Sequence, residues 1–114
     1  MASVAITAVD RYTNLVEYTG ATMDALNEYF EVTAHSSSYT FAATVTSSAN
    51  FKLALECSCN GTWFTIDTSK TISNAGEYVY FYTGSPAAKI RMRISQITSG
   101  TPNLVPHIAV AYHG

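Results

Sequence analysis

Apolar and polar residues alternate with a period of two along most of the chain, and helical spacing is nearly absent. Val4 to Val9 predicts a strand, and Leu15 to Tyr18 a short edge piece. Glu28 to Ala34 puts Phe30, Val32 and Ala34 on one face. Tyr39 to Thr46 points Tyr39, Phe41, Ala43 and Val45 inward and Thr40, Thr44 and Thr46 outward. Phe51, Leu53, Leu55 and Cys57 then face the core, with Lys52 and Glu56 on the other side. Asn60-Gly61 predicts a type I′ hairpin, because that turn needs positive φ at both central positions. Pairing Cys59 with Thr62, Cys57 with Phe64 and Leu55 with Ile66 keeps both apolar faces together, and leaves Trp63 on the outer face near Ser58 and Glu56. Ser69 to Gly76 reads as a loop. A turn over Ser99 to Asn103 leads to a last strand, Leu104 to Tyr112, with Ile108, Val110 and Tyr112 on one face. The one helical candidate, Ala21 to Asn27, is a turn or two at most.

Between these segments lies the densest pattern. Tyr78, Tyr80 and Tyr82 alternate with Val79 and Phe81; Lys89, Arg91 and Arg93 alternate with Ile90, Met92 and Ile94. With Thr83 to Ala88 as a hairpin connection, Tyr82 would face Lys89, Tyr80 would face Arg91, and Tyr78 would face Arg93. One face of that hairpin would carry three tyrosines against three cations, and the other would be core. Such a ladder suits three roles: internal cross-strand pairing, a subunit interface rich in Tyr and Arg, or a platform for sugars or single-stranded nucleic acid. Tyr78, Tyr80, Tyr82, Lys89, Arg91, Arg93 and the outward Trp63 are therefore the candidate interface residues.

Seven or eight short strands punctuated by Gly, Ser, Asn and Pro predict an all-β fold. The expected architecture is an antiparallel, jelly-roll-like β-sandwich with at most one short helix. At 114 residues the chain is expected to form one domain over 1–114, with 1–10 as an N-terminal arm or edge strand. Charged residues make up only 12% of the chain, which lowers the cost of covering its surface with other proteins. The net charge of −2 provides no general field for nucleic acid or an anionic membrane. No apolar run approaches the ~20 residues of a membrane-spanning helix. The first residues lack the basic and apolar regions of a signal peptide, so the chain reads as a complete, unexported frame.

Candidate chemistry is sparse. Cys57 and Cys59 sit about 6.5–7 Å apart along an extended strand, at or beyond disulfide reach, so free structural thiols are expected. Asn60-Gly61-Thr62 matches a glycosylation sequon but is accounted for by the hairpin turn. His35, His107 and His113 are isolated, and the carboxylates Asp10, Glu17, Asp24, Glu28, Glu31, Glu56, Asp67 and Glu77 are scattered over different elements. With no nucleophile elbow, phosphate loop, zinc signature or calcium loop, the chain is expected to be no enzyme and to need no cofactor or metal.

The run Ser58-Cys59-Asn60-Gly61-Thr62-Trp63-Phe64, the Gly76-Glu77 turn into an aromatic strand, the Lys89-Ile90-Arg91-Met92-Arg93 strand and the Gly100-Thr101-Pro102 turn together cover about half the chain. This pattern resembles the small β-sandwich domains of tailed-bacteriophage virion proteins: head decoration (cement) proteins, neck components, and tail or baseplate accessory domains. The resemblance implies a capsid decoration protein, seated as a homotrimer at local three-fold axes and binding the major capsid protein or another virion protein. It would be made in the host cytoplasm and end in the virion. The alternative is a carbohydrate- or receptor-binding accessory module of a phage tail or baseplate, resting on Trp63 and the tyrosines.

Overall fold

The computed structural model describes residues 3–111, with backbone alone at 35–37 and 84–87. Eight strands follow in order: β1 (Ile6–Tyr12), β2 (Leu15–Gly20), β3 (Tyr29–Val45), β4 (Asn50–Cys59), β5 (Thr62–Thr65), β6 (Lys70–Ile72), β7 (Gly76–Ser99) and β8 (Leu104–Ala111). Neighbours run β1-β2-β8-β3-β7-β4-β5, with β6 on β4, and every strand pairing is antiparallel. The segment 21–27 forms turns, and no helix occurs among the described residues.

The fold is an antiparallel β-sandwich whose two layers share β3 and β7. Residues 39–45 of β3 pair with β8 and with residues 76–82 of β7, and β2 and β1 complete the first layer. Residues 29–33 of β3 pair with 89–93 of β7, whose far end pairs with β4; β5 and β6 complete the second. The inward residues of β3 change from Phe30, Val32 and Ala34 to Tyr39, Phe41, Ala43 and Val45, from even to odd numbers. A strand can switch faces this way only where its ladder is irregular. The β3–β7 register shifts there, between Thr33 and Ser38. Beyond it, both halves send side chains into one core with Met23, Phe51, Leu53, Met92, Leu104 and Ile108.

This arrangement corrects the hairpin expected at Thr83 to Ala88. The chain does not reverse there, and Tyr78–Tyr82 and Lys89–Arg93 are consecutive stretches of β7, each paired with a different half of β3. Gly, Ser and Pro mark a break in regular pairing, and a shift between layers satisfies that signal as well as a reversal does. The expected faces are also inverted in the first stretch. Tyr78, Tyr80 and Tyr82 pack against the core, whereas Val79 and Phe81 point outward at 49% and 74% exposure. Tyrosine suits the open rim of a sandwich because its ring covers apolar neighbours while its hydroxyl reaches polar groups. Here the Tyr78 hydroxyl donates to the Asn74 carbonyl (2.6 Å) and that of Tyr82 to Asp67 Oδ2 (3.3 Å).

The β4–β5 hairpin follows the expected register, with Cys59 opposite Thr62, Cys57 opposite Phe64 and positive φ at Asn60 and Gly61. Part of the expected loop 69–76 is the short strand β6. Tyr112 and His113 lie outside the described residues, as does the side chain of His35.

Gly20 closes β2 against the fully buried Phe30. A Cβ there would sit 2.6 Å from a Phe30 ring carbon, backed by a ring that cannot easily yield. Gly20→Ala is expected to lower stability by about 1–3 kcal/mol, read as an earlier urea midpoint. An unchanged midpoint would show that Phe30 has room to move.

Candidate functional site

Two outer faces of the sandwich carry polar chemistry. On the second layer, adjacent strands bring Arg91 of β7 opposite Glu56 of β4 and opposite Glu31 of β3. Arg91 Nε donates to Glu56 Oε1 at 2.7 Å, and both residues are only 6% exposed. Arg93 donates to both oxygens of the same carboxylate, at 3.1 and 3.3 Å, and to Asn27 Oδ1 at 2.9 Å. The Arg91 guanidinium lies 4.1 Å from the Trp63 ring centre and 4.9 Å from that of Tyr29. Two aromatic rings within this distance attract the planar cation and help keep water off it.

Burial pushes the Glu56 carboxyl up, but the hydrogen bonds and charges of Arg93 and Arg91 outweigh it and leave its pKa below the ordinary value of 4.5. A carboxylate so depressed stabilises the fold fully above its unfolded value and loses that contribution as the pH falls through the folded one.

The seven candidate residues therefore divide. Arg91, Arg93 and Trp63 meet one another around Glu56. The tyrosines serve the first layer: Tyr80 lies under Lys70, whose Nζ is 5.3 Å from the ring centre, and Tyr82 packs on Tyr39 and Phe41. Lys89 is exposed and opposite Thr33. No tyrosine–cation ladder forms, because the two sets lie in different layers.

On the outer face of the first layer a shallow groove of about 360 Å³ crosses β1, β2, β8 and β3. Thr40, Ala42 and Ala109 line it alongside Asp10, Glu17 and His107. Asp10 and Glu17 stand directly opposite each other in the β1–β2 pair, and neither belongs to an ion pair among the described residues. Like charges so placed repel, so the site favours hydrogen-bond donors or positive charge. Glu17 also raises the pKa of the exposed Tyr12 phenol through its charge and a hydrogen bond. His107 is held between two hydroxyls, with Nδ1 3.2 Å from Thr19 Oγ1 and Nε2 3.4 Å from Thr44 Oγ1. A smaller adjoining hollow of about 120 Å³ shares Thr40 and Ala109 and ends at Phe81.

Sequence reasoning left Asp10, Glu17 and His107 scattered. The Thr13-Asn14 turn is the signal for the first two, since a two-residue connection there sets Asp10 against Glu17. Nothing local predicts that His107, in the last strand, joins them. Cys57 and Cys59 carry free thiols, and no His, Cys, Asp and Glu cluster suited to a metal occurs among the described residues.

No protein-family model matches the chain, and no curated protein matches it. Among solved structures it is similar to one described as "CBM4 structure and function", with 9% identity and a TM-score of 0.40 over 92% of this chain and 73% of that one. It is also similar to Aeromonas hydrophila PliG, a periplasmic inhibitor of g-type lysozyme. That match has 11% identity and a TM-score of 0.48 over 95% of this chain and 92% of that one. Likeness at this level concerns the β-sandwich alone.

Replacing Glu56 with Gln leaves Arg91 buried without its counter-charge, and is expected to cost about 3 kcal/mol at neutral pH. The double variant Glu56→Leu/Arg91→Met should recover part of that loss, since Arg93 keeps Asn27 but loses its carboxylate partner. In the wild type, stability should fall as the pH drops below 4.5, and urea titrations should show a shallower fall in Glu56→Gln. Equal acid sensitivity in both proteins would assign the fall to other carboxylates.

Proposed function

We propose that the chain is a non-enzymatic structural protein of a bacteriophage virion, a decoration protein that binds the assembled head and stabilises it. The observation that carries this reading is β1, which is exposed at every residue from Ile6 to Tyr12 and packs chiefly on β2. Its exposed apolar residues, Ile6, Val9 and Tyr12, project from a sheet edge with little of their own chain to cover them. An edge strand of this kind is a template for another chain. A low-charge subunit clipped between capsomers would add buried interface present only in the assembled shell, and so favour the shell by mass action. The resemblance of the Asn-Gly-Thr-Trp hairpin and the Arg-x-Arg strand to virion domains supports the same role, synthesis in the host cytoplasm included.

The groove favours a second reading, a carbohydrate-binding accessory module. Its carboxylates, its hydroxyls and the neighbouring Phe81 ring are the groups that hold a sugar. Neither Trp63 nor Tyr80 is the platform in this version, since one stacks on Arg91 and the other faces the core.

Co-sedimentation with cognate heads stripped of decoration separates the two. The wild-type chain is expected to pellet with heads, and Ile6→Glu/Val9→Glu is expected to lose at least tenfold in affinity with its circular dichroism unchanged. Absence of wild-type binding would overturn the decoration reading. Retention on a polysaccharide gel that disappears in Asp10→Asn/Glu17→Gln would establish the other.

A further inference from the structure

Residues 76–83 of β7 form the free edge of the first layer. They pair with β3 on one side, and β4 meets β7 only from Ile90 onward, so no strand among the described residues lies along the other side. This edge lacks the usual protection against pairing: it has no Lys, no Pro and no bulge between Gly76 and Thr83, and its one charge is Glu77 at the start. The β1 edge, by contrast, carries Asp10 and Arg11. The outward residues Val79 and Phe81 are poorly covered because the β3 residues beside them, Ala42 and Thr40, are too small to reach over them.

The order of residues shows what suits this edge. Tyr78-Val79-Tyr80-Phe81-Tyr82 is close to a palindrome about Tyr80. We propose that this edge pairs with the same edge of a second copy, antiparallel about a two-fold axis through Tyr80, so that the first layer continues across two molecules. In that register Val79 of each copy faces Phe81 of the other, Tyr78 faces Tyr82, and Glu77 faces Thr83, with no like charges opposed. Self-complementarity of this kind is what a two-fold contact requires, because each residue must suit its partner in both directions. Aromatic and β-branched residues paired across antiparallel strands are mutually stabilising. Such a contact closes at two copies, whereas the trimer implied by the resemblance would need a head-to-tail surface.

The inference does not rest on the decoration reading. A dimer that ignores heads would remove that reading alone, and a monomer that binds them would remove this one. A contact this small gives weak association, so sedimentation equilibrium should extend into the millimolar range. The mass should rise from 12.3 kDa toward twice that value. Val79→Glu and Phe81→Lys should each weaken dimerisation at least tenfold with circular dichroism unchanged. Combining them places each new carboxylate opposite a new ammonium of the other copy and should restore the dimer. Val9→Glu, on the other edge, should have no effect. A wild-type monomer throughout, a dimer indifferent to both single variants, failure of the double variant to recover, or loss of the dimer in Val9→Glu would each overturn the proposal.

Discussion

The antiparallel pairing of β3 with β7 joins the two layers of the sandwich and sets where every other strand can lie. It runs from Tyr29 opposite Arg93 to Val45 opposite Gly76, and it is the one ladder common to both layers. Each half recruits a different flank, β8 beside the later half of β3 and β4 beside the later half of β7. The irregularity between Thr33 and Ser38 lets one strand present Phe30 and Val32 to the core before it and Phe41 and Ala43 after it. Closing loops between such distant partners is entropically costly, so the core gathered by this pair must stabilise nearly everything else.

The same pair decides where charge can be buried. By placing Arg91 and Arg93 beside β4 it brings two cations to one carboxylate, Glu56, and the Trp63 and Tyr29 rings close over Arg91. Buried ion pairs are weak evidence of net stability, since desolvation offsets much of their attraction. With Glu56 and Arg91 both out of water, a slip of β4 against β7 would strand a charge, which disfavours other registers of that ladder. On the outer face of the second layer these charged and aromatic groups are therefore engaged with one another. The first layer ends in two edges, β1 and the Gly76–Thr83 stretch of β7, with no further strand beside either among the described residues, and the groove lies between them.

Some of this is plain in the residue order. The β4–β5 register follows from Asn60-Gly61, because a two-residue type I′ turn and the apolar alternation agree on one pairing. The inward faces of β4 and β8, and of each half of β3, follow from alternation alone, since their outward residues are mostly polar or small. The aromatic stretch of β7 is different. Tyr, Val and Phe all tolerate burial, so alternation there does not say which set is inside.

The class of fold, the local pairing at Asn60-Gly61 and most of the residues that meet in the core are therefore set by period and turn chemistry within a few residues. Three outcomes are not local: Gly84-Ser85-Pro86 lies within one long strand, Arg91 is enclosed while Phe81 is exposed, and Asp10 and Glu17 share a groove with His107. Each of those outcomes depends on which distant strand lies alongside. That choice is made by the collective burial of the core, to which no local segment holds the key.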